Sequence, residues 1–264
     1  MSGARTDAAS QRPYERGLTS IVIVAADSGS GLAVAVDSAL ASSARVEVIV
    51  SDNASTDGSL DAVAARAKND ARLRIVHNGK NIGFGAGCNR GTAHARGDVL
   101  FFLNPDCRLE RDQVQTLRAI LDSRSDIGLL GALIVAPDGA VEPASRRHDP
   151  VLRRALMSLS RQAHGIEITE AISGSVERVD AISGAAMMIA RDVFDRVDGM
   201  DQGYFLHCED LDLSRRVRDA GLCVACATGV RIEHGKGGSS RRRPLFVAWH
   251  KHRGMWRWFT KFDP

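Results

Sequence analysis

The sequence contains an unbroken apolar run, Val99-Leu100-Phe101-Phe102-Leu103, that leads directly into the polar triplet Asn104-Pro105-Asp106. Such a run predicts a strand buried on both faces, and the triplet predicts a turn at its carboxyl end. Three earlier segments have the same character, at residues 21–25, 46–51 and 74–77. Segments with a helical spacing of apolar residues separate the four. This alternation predicts an α/β fold with a mostly parallel central sheet flanked by helices.

The alternation of strands and helices changes after Asn104 and predicts a less regular second half. A strand at residues 127–135, broken at Gly131, and a turn at Pro137-Asp138-Gly139 together predict a hairpin. An amphipathic helix is predicted at residues 211–220, where Gly221 ends it. The other predicted elements are strand-like segments at 181–190, 222–227 and 230–233, an irregular segment at 146–177, and a last helix at 244–262.

Composition limits the classes of function. The 264 residues are 44% hydrophobic and 25% charged, as in an ordinary globular protein, and the net charge of +3 does not indicate a nucleic-acid partner. Five scattered cysteines argue against a disulfide framework and for a reducing compartment. Residues 1–16 contain no apolar signal core, and no segment has the apolar length that spans a bilayer. We therefore expect a cytoplasmic protein that binds no nucleic acid.

Polar residues follow the predicted strands, where open parallel sheets bind their ligands. The candidate nucleotide-binding residues at these positions are Asp27, Asp52, Asn81, Gly83 and Asn104. The Asp52 carboxylate could accept a hydrogen bond from the imide N–H of a uracil or thymine, although its neighbours also suit a turn with side-chain-to-backbone bonds. The glycine-rich segment after Asn81 could approach a phosphate or ribose, or could form only a tight turn into a helix.

Two further positions could bind a divalent cation. Asp106 could hold Mg²⁺ or Mn²⁺ together with a diphosphate, although an Asn-Pro-Asp turn explains the same residues. His234 ends a short predicted strand, and a neutral imidazole can bind a divalent metal. A glycine run follows His234 and could form a flexible lid over phosphates.

Three acidic residues, Glu209, Asp210 and Asp212, open a predicted helix in the last quarter of the chain. The helix dipole favours acids at this end, which is a purely structural explanation. Alternatively, one carboxylate could be a general base that deprotonates an acceptor hydroxyl. Residues 209 and 210 diverge by about a hundred degrees in a helix, so Glu209 and Asp210 cannot do the same job. We expect Asp212 to point elsewhere.

The order and spacing of these motifs resemble the inverting glycosyltransferase family 2, which has the GT-A fold, and the rhamnosyltransferase-like branch is the most similar. The motifs are Ser51-Asp52-Asn53-Ala54-Ser55-Thr56-Asp57-Gly58, Asn81-Ile82-Gly83-Phe84-Gly85-Ala86-Gly87-Cys88-Asn89-Arg90-Gly91, Phe102-Leu103-Asn104-Pro105-Asp106, Ser183-Gly184-Ala185-Ala186, and Tyr204-Phe205 with Glu209-Asp210-Leu211-Asp212-Leu213. The resemblance implies a nucleotide-diphospho-sugar transferase domain at residues 19–240. Its nucleotide-binding half would be residues 19–107, and its acceptor and catalytic half, with a smaller mixed sheet, residues 108–240.

The resemblance also implies residue roles. Asp210 would be the catalytic base, supported by Glu209, and Asp52 would read the pyrimidine base. The remaining implied roles are metal binding by Asp106 and His234, and contact with the donor sugar by Gly184 and Ala185. The donor would be a dTDP- or UDP-sugar, with dTDP-rhamnose as the first candidate. The acceptor would be a hydroxyl of a glycan or of a lipid-linked intermediate.

Two rival functions are weighed against this one. A non-catalytic nucleotide-sugar-binding protein would keep Asp52 and lose the base, whereas Glu209 and Asp210 are both present. An NAD-dependent oxidoreductase could use the glycine-rich segment. However, that segment follows the third predicted strand, and Cys88 occupies the position of its last required glycine.

The two ends of the chain are expected to lie outside this domain. Residues 1–18 are expected to form a disordered lead. Residues 241–264 are expected to form a basic aromatic helix, with Leu245, Trp249, His252, Trp256 and Phe259 at helical spacing. This helix could rest on an anionic membrane on the inner face of the plasma membrane, or could pack onto the domain through its aromatic residues.

Overall fold

The computed structural model describes residues 14–150, 166–168, 172, 174–235 and 244–262. The strands are β1 (Glu15–Ala25), β2 (Val46–Asp52), β3 (Leu73–His77), β4 (Gly97–Leu103), β5 (Cys107–Arg108), β6 (Ile127–Val135), β7 (Arg146–Arg147), β8 (Glu177–Arg178), β9 (Ala181–Ile182), β10 (Ala186–Ala190) and β11 (Cys223–His234). The helices are α1 (Gly31–Leu40), α2 (Leu60–Ala67), α3 (Phe84–Thr92), α4 (Gln113–Ser123), α5 (Arg191–Arg196), α6 (Glu209–Asp219) and α7 (Pro244–Phe262).

The described strands form one large sheet and one small one. The order of the large sheet is β3-β2-β1-β4-β10-β6-β11-β5, and β8 also pairs with β11. Strands β1 to β4, β6 and β11 run in one direction, because β10 lies antiparallel between β4 and β6. The small sheet pairs β7 with β9 in antiparallel fashion. The prediction of a mostly parallel central sheet flanked by helices is confirmed.

Strand β4 is buried on both faces, as its apolar sequence predicts. Phe101 and Leu103 belong to a cluster that includes residues of α1 and α4, whereas Leu100 and Phe102 belong to a second cluster with residues of α3, α5 and α6. The alternation follows from the twofold repeat of side chains along a strand. Complete burial of each such side chain stabilises the fold by about 1.5–3 kcal/mol. The helices therefore cover both faces, and the polar ends of the strands remain available at the edge.

Some element boundaries differ from the prediction. Strand β1 begins at Glu15 and includes residues 15–18, which the prediction placed in the disordered lead; residues 1–13 lie outside the described residues. The Glu15 N–H donates to the Arg96 carbonyl at 2.8 Å, and Leu18 is buried. Neither interaction is visible in the polar sequence Glu15-Arg16-Gly17. The turn predicted at residues 137–139 is present, since Val135 and Val141 pair across it.

Two predicted interruptions in the second half are wrong. Strand β6 continues through Gly131 without a break. The glycine serves packing, because a Cβ at this position would lie 2.8 Å from the side chain of Ile182. Strand β11 also runs unbroken, and a register shift between Ala227 and Arg231 replaces the predicted gap. This long strand carries His234 to the same sheet edge as the end of β4.

Candidate active site

The Asp52 carboxylate is buried at the end of β2. Its Oδ1 accepts a hydrogen bond from the Ser55 N–H at 2.9 Å, and its Oδ2 lies 3.2 Å from His77 Nδ1. The turn interpretation of this motif is therefore confirmed. The same contacts fix the carboxylate between the ends of β2 and β3, beside the Asn53 and Asn78 side chains, which are bonded to each other at 2.9 Å. A rigid, polar strand end of this kind can present fixed hydrogen-bonding atoms to a ligand.

Asp27 lies in the loop after β1 and has a positive φ of 49°. Its Oδ1 accepts a hydrogen bond from the Thr56 N–H at 2.7 Å, and the Gly29 N–H donates to Asp57 Oδ2 at 2.8 Å. These bonds join the loop after β1 to the loop after β2. Gly31, which begins α1, would meet the Pro105 carbonyl oxygen at 3.2 Å if it carried a Cβ. The start of α1 therefore lies against the turn that follows β4.

The turn from Asn81 to Gly83 connects the first half of the chain to the segment before α6. Asn81 Oδ1 accepts a hydrogen bond from the Gly83 N–H at 3.0 Å, and the Asn53 side chain donates to the Gly83 carbonyl at 3.1 Å. Gly83 has a φ of 89°, and a Cβ there would lie 2.5 Å from the Phe205 carbonyl oxygen. The Phe84 N–H donates to that same oxygen at 2.9 Å. Position 83 therefore needs a residue that adopts a positive φ and has no Cβ, and only glycine does both.

Two later glycines of the same segment serve packing. A Cβ at Gly87 would lie 2.8 Å from a methyl carbon of Val24, and Gly91 makes a similarly close approach to Val22. Helix α3 therefore lies directly on β1. This packing accounts for these glycines without a dinucleotide.

Asp106 and His234 come together at the ends of β4 and β11. His234 Nε2 lies 3.1 Å from Asp106 Oδ1, and His234 Nδ1 lies 3.2 Å from Glu142 Oε1. The Asn104 side-chain amide is 3.4 Å from His234 Nε2, and the Gly235 N–H donates to the Asp106 carbonyl at 2.8 Å. Burial alone would lower the pKa of His234, but the hydrogen bond and charge of Asp106, followed by those of Glu142, raise it to about 8.

This pair fits a divalent cation. Asp106, Cys107 and His234 place their ligand atoms within 4.8 Å of one another. The Cys107 thiol is buried and donates to the Ala185 carbonyl, and burial followed by the charge of Asp106 raises its pKa. A hard cation would therefore take the Asp106 oxygen and His234 Nε2. Glu142 on Nδ1 provides the carboxylate that commonly orients a metal-binding histidine.

The backbone of Gly184 and Ala185 joins the end of β4 to the first turn of α6. The Asn104 N–H donates to the Ala185 carbonyl at 2.9 Å, and the Gly184 N–H donates to Asp210 Oδ2 at 2.9 Å. A Cβ at Gly184 would lie 3.4 Å from the Asp210 carboxylate. A continuous chain of contacts therefore links Asn104, Gly184, Ala185 and Asp210, although about a hundred positions separate the first from the last in the sequence.

Three donors hold the Asp210 carboxylate. Besides Gly184, Arg147 Nη2 donates to Oδ2 at 2.5 Å, and the Leu211 N–H donates to Oδ1 at 2.8 Å. Arg147 also donates to the Ile182 carbonyl. A carboxylate has roughly four lone-pair positions, so the described residues leave one on Oδ1 for a further donor. A hydroxyl placed there would be in position to transfer its proton.

Glu209 and Asp210 diverge, as predicted. Glu209 is buried and packs towards α3, since a Cβ on Gly85 would lie 3.7 Å from its Cβ. Burial, followed by the nearby charge of Asp210, raises the pKa of Glu209 above its ordinary value of 4.5. Asp212 points elsewhere and is fully buried in ion pairs with Arg216 and Lys261.

Sequence reasoning missed two residues of this site. Arg147 and Glu142 lie in a segment that the sequence marks only as irregular or near a turn. Arg147 reaches Asp210 because β7 pairs with β9, and Glu142 reaches His234 because its backbone N–H bonds back to the Ile134 carbonyl of β6. The Glu142 contact also requires β6 to pair with β11, which carries His234. The pairings of β7 with β9 and of β6 with β11 are long-range, and a single sequence gives no signal for them.

Helix α7 packs on the segment that precedes α6. Trp258 is 1% exposed and lies in a cluster with Tyr204, Cys208 and Leu211. A Cβ on Gly254 would lie 2.9 Å from the His207 carbonyl oxygen. The predicted helix is present and packs on the domain, but mainly through Trp258. Of the aromatic stripe expected to pack, Leu245, Trp249 and Trp256 are exposed, and Phe259 packs against the Trp258 cluster. No helix among the described residues combines the length and apolarity that a membrane crossing requires.

A comparison of the sequence with protein families identifies the family of this chain. The family model described as "Glycosyl transferase family 2" matches residues 20–195, which is more than half of the chain. The chain belongs to glycosyl transferase family 2. The matched region contains the Asp52, Asn81–Gly83, Asn104–Asp106 and Gly184–Ala185 segments of the site. Helix α6 with Asp210 follows the matched region.

Within this family, the chain is similar to rhamnosyltransferases. The "N-acetylglucosaminyl-diphospho-decaprenol L-rhamnosyltransferase" of Mycobacterium tuberculosis (strain H37Rv) is 29% identical over 246 residues, covering 83% of this chain and 79% of the relative. "Rhamnosyltransferase WbbL" of Escherichia coli (strain K12) is 31% identical over 125 residues, or 47% of each protein.

Solved structures establish the GT-A fold. GalNAc-T7, in a crystal structure with UDP, GalNAc and Mn²⁺, matches with a TM-score of 0.64 and 17% identity, covering 84% of this chain and 44% of that one. The mannosyltransferase PcManGT of Pyrobaculum calidifontis, with GDP-Man and Mn²⁺, has a TM-score of 0.63 and 16% identity over 88% and 64% of the two chains. This chain thus spans less than two thirds of either structure.

Proposed function

We propose that this family 2 glycosyltransferase is an inverting enzyme that transfers rhamnose from dTDP-rhamnose to an acceptor hydroxyl. The names of the similar rhamnosyltransferases support the choice of sugar. The observation that carries the proposal is the backbone link through Gly184 and Ala185. It joins Asn104, beside the Asp106–His234 pair, to the Asp210 carboxylate. A donor sugar lying on this link would have its leaving group near one end and a base near the other.

The nucleotide would lie at the carboxyl ends of the first four strands. We assign the pyrimidine base to Asp52, whose buried carboxylate is already held by Ser55 and His77. The ribose and phosphates would lie along Asp27, the turn at Asn81–Gly83, and Asn104. Residues 19–107 would thus form the nucleotide-binding half and residues 108–240 the acceptor and catalytic half.

Asp106 and His234 would hold Mg²⁺ or Mn²⁺, which when bound would offset the negative charge of the leaving diphosphate. Glu142 fixes the His234 ring through Nδ1, so that Nε2 faces Asp106. Titration of Mn²⁺ into the protein, followed by the melting temperature, tests the assignment without turnover. We expect the Asp106→Asn variant to lose the response and the exposed control Asp112→Asn to keep it.

The reacting residue would be Asp210. Its free Oδ1 position would accept the proton of the acceptor hydroxyl while that oxygen attacks the anomeric carbon and the nucleoside diphosphate leaves. Attack from the side opposite the leaving group inverts the anomeric configuration. Arg147 and Gly184 would hold Oδ2 throughout, which fixes the direction of Oδ1. Glu209 would support this arrangement from its buried position behind Asp210.

The acceptor would be a glycan end or a lipid-linked intermediate, as the name of the mycobacterial relative suggests. We place the protein in the cytoplasm, on the inner face of the plasma membrane. A screen of dTDP-, UDP- and GDP-sugars with Mn²⁺ and candidate acceptors, read by released nucleoside diphosphate, tests the whole proposal. We expect release from dTDP-rhamnose and loss of release with a chelator. Stabilisation by dTDP without any release would instead indicate a non-catalytic binding protein, and stabilisation by NAD alone would contradict both.

A further inference from the structure

The outward face of α7 is apolar and aromatic. Leu245, Trp249 and Trp256 are 86%, 66% and 72% exposed, more than any other large apolar side chain that the structure describes. Their spacings of four and seven residues place them on one side of the helix, over about 16 Å of its length. Trp258 points the other way and is buried. The helix therefore presents two aromatic faces, and among the described residues only the face with Trp258 packs on the rest of the chain.

All the charged residues of α7 are positive. The nineteen residues of α7 include no Asp or Glu. Lys251 and Arg253 are exposed and form no ion pair with the described residues, whereas Arg257 and Lys261 pair with Asp201. Three more arginines, at positions 241–243, immediately precede the helix in the sequence. Around the helix, Arg253 lies about 40° from Trp249, whereas Lys251 lies about 200° away, on the side of Trp258. Arg253 next to the exposed tryptophans complements a surface that is anionic and apolar at once.

We propose that the outward face of α7 binds the surface of an anionic lipid bilayer, with the helix lying along it. Tryptophan is enriched where headgroups meet acyl chains, and Arg253, which forms no ion pair with the described residues, would face the lipid phosphates. A second copy of this chain fits less well, because two such faces would bring like charges together. The proposal deepens the function proposed above, on which it rests only for the identity of the acceptor.

The contacts of the inward face of α7 place the helix beside the segment that carries the proposed base. Gly254 lies against the backbone of His207, Trp258 packs on Tyr204, and Lys261 pairs with Asp212 in the first turns of α6. The α6 residue next to Trp258, Leu211, directly follows Asp210 in the sequence. A bilayer under α7 would therefore lie close to the carboxylate that receives the acceptor, which suits an acceptor anchored in lipid.

Co-sedimentation with vesicles tests the proposal. The full chain, without donor or acceptor, is mixed with vesicles of phosphatidylcholine alone or with added phosphatidylglycerol. We expect binding only to the anionic vesicles and its loss when Trp249→Gln and Trp256→Gln are combined. The exposed apolar control Val34→Gln should bind like the parent.

The basic residues give a second, quantitative arm. Each Lys or Arg near an anionic surface changes the affinity about fivefold, so Arg253→Gln should weaken binding by about that factor. The exposed control Lys68→Gln should change it little.

Three results would overturn the proposal: equal binding to both kinds of vesicle, no binding to either, or tryptophan variants that bind like the parent. If light scattering showed a dimer that the same tryptophan variants abolish, the face would belong to a second copy and not to lipid. None of these readouts depends on turnover. Nucleoside diphosphate release with a water-soluble acceptor would therefore still report on the transferase separately.

Discussion

Replacing Asp210 with asparagine changes one atom of the proposed base and removes its charge. The structure predicts a loss of transfer without a loss of donor binding, because the carboxylate contacts Gly184, Arg147 and Leu211 and none of the residues assigned to the nucleotide. Loss of a general base typically slows a reaction by about 10²–10⁴-fold. We therefore expect Asp210→Asn to reduce kcat by that range and to leave the Kd for dTDP within about twofold, which corresponds to about 0.4 kcal/mol.

The same substitution has a stability cost that follows from the hydrogen bonds. Either orientation of the new side-chain amide points its NH₂ group at an existing donor: at the Leu211 N–H in one case, and at Gly184 and Arg147 in the other. A buried hydrogen-bonding group left without its partner costs about 1–3 kcal/mol. For a chain of this length, that cost lowers Tm by roughly 2–12 °C. The kinetic assay should therefore be run well below the Tm of the variant.

Asp219→Asn is the matched control, because Asp219 lies on the same helix, is exposed and pairs only with Arg215 among the described residues. The assay measures nucleoside diphosphate release under single-turnover conditions, together with dTDP binding by calorimetry. The control should retain parental rates. Turnover of Asp210→Asn within tenfold of the parent would remove this residue from the role of base, and parallel loss of dTDP binding would show that it acts in donor binding instead.

Three further predictions concern stability. Gly83→Ala should lower Tm more than Gly79→Ala, because both glycines have positive φ but only a Cβ at position 83 meets a backbone oxygen, at 2.5 Å; equal losses would contradict the contact. The pKa of Glu209 is raised, so its contribution to stability is complete below its unfolded pKa of about 4.5 and is lost as the pH rises towards the folded pKa. The Tm of Glu209→Gln should therefore fall less with rising pH than the Tm of the parent. Parallel plots of Tm against pH for the two proteins would refute this. Trp258→Ala should lower the free energy of unfolding in urea by about 3–5 kcal/mol, whereas the exposed Trp256→Ala should change it by at most about 0.5 kcal/mol. Equal effects of the two substitutions would contradict the packing of α7 on the domain through Trp258.

Local sequence signals predicted the parts of the fold that depend on local physics. The apolar run of β4 implies burial on both faces whatever its neighbours, and it is buried in that way. The acids that open α6 are favoured at a helix N-terminus, and the helix begins at Glu209. The polar ends of the early strands meet at one edge because parallel strands share their direction.

Features that depend on pairing between distant segments were not predictable. The sequence indicated strand at residues 181–190, but nothing in it shows that β10 lies antiparallel between β4 and β6. Arg147 looks like one surface cation among many until β7 pairs with β9 and brings it to Asp210. Gly131 resembles a strand breaker, since the close approach of Ile182 is visible only in three dimensions. In each case a long-range contact outweighed the local propensity.

The Gly184–Ala185 link has a consequence for how such enzymes diversify. Its bonds to Asn104 and Asp210 use backbone N–H and C=O groups and one carboxylate. In the proposed mechanism, the distance between leaving group and base would therefore not depend on the side chains that surround the sugar. Those side chains can be exchanged for others that accept a different hexose while the reacting atoms keep their alignment. In the proposed mechanism, selectivity and alignment would therefore reside in different groups, and a change of donor would leave the Asn104 and Asp210 contacts in place.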